Sequence, residues 1–153
     1  MVKFFNLIVL FNLFSCITMA TNVDSLYSQL DYHISKRPAY RHAKESAIEK
    51  LKHAIGSAKQ QNNKTLLYGL YSGLSQKYDA YNYDSAIHYS TKRITLAYQL
   101  NAPSKIALSK SETGNILTRR RHYREAIDTL LSVSAPELSL LNRQKHYGFA
   151  ARA

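Results

Sequence analysis

From Asp24 onward, apolar residues recur at spacings of three and four, which lines up one face of an α-helix. Leu26, Leu30 and Ile34, with Tyr27, mark a short first helix that Lys36-Arg37-Pro38 is expected to break. Pro38 suits the first turn of a second helix, where its missing N–H costs nothing. That helix carries Tyr40, Ala43, Ala47, Ile48, Leu51, Ile55 and Ala58 in one stripe, with Lys44, Glu45, Lys50 and Lys52 off it. A polar connection over 60–63 leads to a third helix with Leu67, Leu70, Tyr71, Leu74, Tyr78 and Tyr81. Asn82 is a natural N-cap for a fourth, which carries Ala86, Ile87, Ser90, Ile94, Ala97 and Tyr98. A fifth runs through Ile106, Leu108, Thr113, Ile116 and Leu117, and a sixth from Ala126 to Val133. Ala135-Pro136 separates the sixth from a seventh that starts at Glu137. The expected fold is all-α, about seven helices in antiparallel hairpins, after a distinct N-terminal segment.

That segment, residues 1–20, differs in kind. Lys3 precedes an apolar run from Phe4 to Phe14, broken only by Asn6 and Asn12, and Thr18-Met19-Ala20 follows. The pattern predicts a secretory signal peptide cleaved after Ala20, with a run too short to span ~30 Å of bilayer. The expected location is exported, either periplasmic or membrane-associated. Leu13-Phe14-Ser15-Cys16 also resembles a lipoprotein signal, so lipidation at Cys16 is the alternative processing. Cys16 is the single cysteine, which leaves the mature chain no disulfide and no cysteine-based metal site.

Composition narrows the class further. The 153 residues suffice for one domain, and 45% hydrophobic with 20% charged residues describes a folded chain. Five Gly and three Pro are too few for a sandwich or barrel, which would need a turn signal every 8–12 residues or so. The net charge of +11 raises a nucleic-acid reading. However, the cations scatter from Lys36 to Arg152, and the one run of three is Arg119-Arg120-Arg121. Solvated helix faces and attraction to acidic envelope surfaces account for scattered charge better.

Two segments repeat. Asn82-Tyr83-Asp84-Ser85-Ala86-Ile87 matches His122-Tyr123-Arg124-Glu125-Ala126-Ile127 at an offset of 40 residues. Gly73 and Gly114 on the first helices, with Ala86 and Ala126 on the second, supply small residues where paired helices cross. These residues resemble the tetratricopeptide-repeat family over about 64–133, with 138–153 as the first helix of a further pair. The resemblance implies a right-handed superhelix with a ligand groove lined by the first helix of each pair. Its candidates here are Tyr71, Ser75 and Tyr78, then Ser111, Asn115 and Arg119. The opening stretch, Asp24-Ser25-Leu26-Tyr27-Ser28-Gln29-Leu30-Asp31 after a signal segment, is similar to membrane-anchored bacterial transcriptional regulators. In those, an exported repeat region acts as the sensor. The implied division is a signal peptide (1–20), an N-terminal helical pair (21–63), two hairpin repeats (64–100 and 103–135) and the first helix of an incomplete repeat (137–153).

Catalytic patterns are lacking. There is no Gly-rich phosphate loop and no G-x-S-x-G element, and the six histidines show no i,i+4 pairing. His42 and Glu45 have metal-pair spacing, but a solvated helix face explains them as well. Asp79 and Asp84 flank a helix elbow, and the Arg119–Arg121 run ends a helix, where cations are favoured. Tyrosine is the strongest functional hint. Tyr71, Tyr78 and Tyr81 recur along one flank, either filling a seam between hairpins or offering aromatic faces to an extended peptide or glycan. The reading is a non-enzymatic scaffold, without metal or cofactor, that binds a protein, peptide or envelope ligand as a sensor. The alternatives are a basic nucleic-acid-binding protein and an unrecognised enzyme. Leu138, Leu140, Leu141, Tyr147 and Phe149 are expected to leave an apolar face over 138–153 that favours self-association.

Overall fold

The structure, a computed structural model, describes the backbone from Val2 and side chains from Val23. The signal-peptide expectation and Cys16 lie outside the residues whose side chains are described. Six α-helices follow in order: α1 (Val2–Gln60), α2 (Lys64–Asp79), α3 (Tyr83–Gln99), α4 (Pro103–Arg119), α5 (Tyr123–Leu131) and α6 (Leu140–Ala150). A single 3-10 turn, Ala135–Glu137, precedes α6, and no strand occurs among the described residues. Among those residues no helix is long and apolar enough to cross a membrane.

Residues 46–153 form one compact unit. Its main core gathers Ile48, Ile55 and Ala58 of α1, Leu67, Tyr68, Tyr71 and Leu74 of α2, and Leu96 and Ala97 of α3. α2 and α3 make the first hairpin, and α4 and α5 the second. The start of α3 follows the cap read at Asn82, and α2 has an equivalent cap at Asn63, within what reads as a polar connection. The Asn63 side chain accepts from Leu66 N at 2.9 Å and that of Asn82 from Ser85 N at 3.0 Å, each satisfying one orphan donor. Ala86 and Ala126 are fully buried, as crossing positions require. Gly114 is a true close approach, because a Cβ there would sit 2.5 Å from Leu130 Cγ. Gly73 differs: its added Cβ would make ordinary contact with Leu51 of α1 at 3.5 Å.

Residues 1–45 form the other unit. Every described residue from Val23 to Ala43 is exposed, including Leu26, Leu30 and Ile34. The expected break at Pro38 does not occur, so the pair of helices over 21–63 is one helix, and six helices stand where seven were expected. Proline removes one intrahelical bond and crowds the carbonyl four residues back, at a cost of about 3 kcal/mol. Ile34, which owns that carbonyl, is itself exposed, so water can reach the freed group. The residues after Pro38, such as Arg41, Ala43, Lys44 and Glu45, are good helix formers that continue the turn. A second correction lies near the C-terminus. The last helix starts at Leu140, not Glu137, because Ser139 caps it and Ala135–Glu137 closes a tighter turn.

Candidate ligand-binding groove

Helices α2, α4 and α6 border a groove of about 210 Å3. From α2 it takes Ser72, Ser75, Gln76 and Asp79, and from α4 Glu112, Asn115, Ile116 and Arg119. These are equivalent positions of the two repeats, each α4 residue lying forty after its α2 counterpart. Spacings of three, one and three place them on a single helical face. Ser90 and Arg93 of α3 also reach the groove, and Lys145 and Phe149 of α6 close it.

Arg93 is the central group. It is only 4% exposed, yet it carries a charge, so its partners must compensate for lost water. Nη1 donates to Glu112 Oε2, and Nη2 donates to the Tyr68 hydroxyl at 2.9 Å. The guanidinium lies over the Tyr68 ring at 4.7 Å, a cation–π contact. The Tyr68 hydroxyl in turn sits 3.1 Å from Ser109 Oγ and 3.2 Å from Lys105 O. Arg93 Nε is buried and has no hydrogen-bond partner among the described residues. Beside it, the hydroxyls of Ser90 and Thr113 bond to each other, and Thr113 Oγ1 donates to Ser109 O at 2.8 Å.

The six residues proposed from sequence separate into three groups. Ser75, Asn115 and Arg119 line the groove together. Ser75 is spoken for, since its hydroxyl donates to Ala86 O at 3.0 Å. Arg119 pairs with Asp79, and Arg120 donates to the Asp79 carbonyl, so two of the three run arginines tie α4 to α2. Ser111 is 2% exposed and lies 3.2 Å from His146 Nδ1, where it joins α4 to α6 instead of facing the groove. Burial of His146 pushes its pKa down, which favours the neutral ring. Tyr71 and Tyr78 pack beside the groove face of α2, against Tyr89. The ring centroids of Tyr71 and Tyr89 are 5.9 Å apart, and those of Tyr78 and Tyr89 are 5.8 Å apart and nearly parallel. Burial pushes the Tyr71 and Tyr89 hydroxyls up, as expected of a seam. The tyrosine cluster therefore fills packing space between helices. Among the described residues no three His, Cys, Asp or Glu side chains converge as a metal site.

A family model described as the SusR N-terminal TPR domain matches residues 34–153, most of the chain. The chain belongs to this family. No curated protein and no solved structure matches it. Membership makes it an all-helical repeat scaffold of the kind found at the N-terminus of SusR-like regulators. Within the SusR-type domain, sequence reasoning missed Ser72, Gln76, Asp79, Glu112, Arg93, Lys145 and Phe149. The forty-residue register, stepped by three and four from Ser75 and Asn115, would have found the first four. Arg93 gave no such signal, because it comes from the second helix of its hairpin and reads as an ordinary surface cation beside Lys92.

Proposed function

We propose that this chain is the non-catalytic, exported sensor part of a bacterial regulator, and that it holds an extended peptide segment in the α2/α4/α6 groove. The observation that carries this reading is that four register-matched pairs of residues line one groove. Three of these pairs, Ser72/Glu112, Ser75/Asn115 and Asp79/Arg119, are polar in both repeats, and such a face suits the repeating N–H and C=O groups of an extended chain. Asn115 both donates and accepts, and remains half-exposed at the groove wall. Selection of random peptides displayed on phage against the full chain, followed by calorimetry of an enriched peptide, tests the proposal. Asn115→Ala should weaken binding roughly tenfold, equivalent to about 1.4 kcal/mol, whereas Tyr81→Ala, on the tyrosine flank, should leave it unchanged. The reverse pattern would move the site to the tyrosines. We infer also that self-association uses Leu140, Leu141 and Tyr147, which are 72%, 61% and 57% exposed. Leu138 is instead buried and Phe149 turns to the groove, so neither belongs to that face. Sedimentation of Leu140→Glu/Leu141→Glu should show less association than the parent chain, and equal association would remove the inference.

A further inference from the structure

We propose that the groove contains an anion-binding position built on Arg93, which Glu112 occupies in the free chain and which a carboxylate of the bound peptide takes over. This rests on the groove being the peptide site.

The asymmetry of the ion pair is the main argument. The Arg93 side chain is 5% exposed and the Glu112 side chain 36% exposed. The cation is therefore fixed beneath the groove while its anion stands at the mouth. A buried guanidinium cannot shed its counter-charge without a large penalty, but it is indifferent to which carboxylate supplies it. Glu112 can swing into water at little cost once another carboxylate arrives. Exchange is then nearly neutral in Coulomb terms, and small additional contacts decide its direction.

Those contacts are in place. Arg93 Nε–H still lacks an acceptor, and a buried donor without one favours any arrangement that provides it. Nε shares its edge of the guanidinium with Nη2, so a carboxylate drawn to that edge can accept from both, the planar pairing that arginine suits best, and its charge replaces the one Glu112 supplies at Nη1. Lys145 lines the same groove and forms no ion pair among the described residues, so an incoming anion meets an uncommitted positive charge. Asn115 adds a donor on the α4 side. Arg119 contributes less, because Asp79 already holds it.

The test uses the isotope-labelled full chain and three octapeptides, observed by site-resolved NMR titration at physiological salt. One is acetyl-(Ser-Glu)4-amide, the second its glutamine counterpart as the amide, and the third the glutamine counterpart with a free C-terminal carboxylate. The first should shift Ser72, Gln76, Asn115 and Lys145 signals and bind at least tenfold more tightly than the second. Tight binding by the third as well would identify the terminal carboxylate as an equally good source. Lys145→Ala should weaken the acidic peptide several-fold. Glu112→Gln should melt at a lower temperature than the parent, and the acidic peptide should raise that temperature more than it raises the parent's. Equal binding of the acidic and neutral amides at the groove overturns the anion position while leaving the groove as the peptide site. No groove shift with any peptide, or tighter binding of the acidic one only at cations outside the groove, overturns both. A Glu112→Gln chain that gains nothing extra from the acidic peptide overturns the exchange.

Discussion

The two hairpins occupy the same register forty residues apart, yet they are held together differently. In the first, Leu74 is fully buried and belongs to a core that also contains Ile48 and Ile55 of α1. Its counterpart in the second is Gly114, where Leu130 of α5 presses against the helix backbone. One crossing is filled by a large side chain and the other by close backbone approach. The surroundings differ to match. The first hairpin is packed with tyrosine and leucine, whereas α4 buries Ser109, Ser111 and Thr113, which bond to neighbouring hydroxyls, carbonyls and His146. A repeat therefore conserves the positions of its helices without conserving how their contact is filled.

Leu74→Ala should be the largest single effect, because a fully buried leucine leaves a cavity as well as losing burial. We expect a loss of about 2–5 kcal/mol, read from urea denaturation. A loss under about 1 kcal/mol would mean the first crossing collapses as readily as a surface site.

The two glycines should give opposite signs. Gly114→Ala puts a methyl 2.5 Å from Leu130 Cγ, so either Leu130 or the helix must move. Overpacking of this kind costs about 1–3 kcal/mol. Gly73→Ala meets Leu51 at ordinary distance and gains helix propensity, so it should stabilise by up to about 1 kcal/mol. Thermal melts of both variants check the pair, and matching signs would show that Gly114 has as much room beside it as Gly73.

This contrast also shows what the sequence could reveal. Periodicity, the Asn82 cap and the Ala86/Ala126 match located α2 to α5, because caps and small residues act locally, whereas the Asn63 cap reads only as part of a polar connection. The same periodicity in Leu26, Leu30 and Ile34 predicted helix correctly but said nothing about burial, and all three are exposed. Pro38 misled, because a proline on a solvated helix loses one bond without orphaning the carbonyl from water. The candidates mapped by repeat spacing divide: Ser75, Asn115 and Arg119 border the α2/α4/α6 groove, whereas Tyr71 and Tyr78, from the same spacing, pack against Tyr89. The network around Arg93 joins three helices, and no local spacing announces such a meeting.

The contact between α6 and the second hairpin should respond to mild acid. His146 binds that hairpin through Ser111, and burial lowers its folded pKa below the ordinary value of 6.5. The unfolded chain then takes up a proton at a higher pH than the folded chain does. Stability should therefore fall as pH drops through 6.5 and level off below the folded pKa. The slope is bounded by one proton, about 1.4 kcal/mol per pH unit. His146→Gln should flatten the difference between melts at pH 7.5 and pH 5. An unchanged pH dependence would assign the acid response to another group.

The smallest effect separates the two elbows. Both are three-residue turns at the same register, at residues 80–82 and 120–122. In the first, Asn82 N donates to Tyr78 O, four residues back, and Tyr81 keeps a negative φ. In the second, His122 N donates to Leu117 O, five residues back, and that longer bond requires Arg121 to adopt φ 64°. Helix ends of this type favour glycine or asparagine in the left-handed position. Asn62 (φ 51°) and Asn101 (φ 47°) obey this at the ends of α1 and α3, while Arg121 does not. A side chain with a Cβ costs about 1 kcal/mol there. Arg121→Gly should therefore raise stability by up to about 1 kcal/mol, the gain in unfolded-chain entropy opposing part of the relief. Tyr81→Gly, at the matching position, should lower stability, because it relieves no strain, loosens the unfolded chain and loses the ring stacked on Tyr78 at 6.5 Å. If both glycines destabilise, the left-handed turn at Arg121 is absent in solution and the two elbows share one geometry.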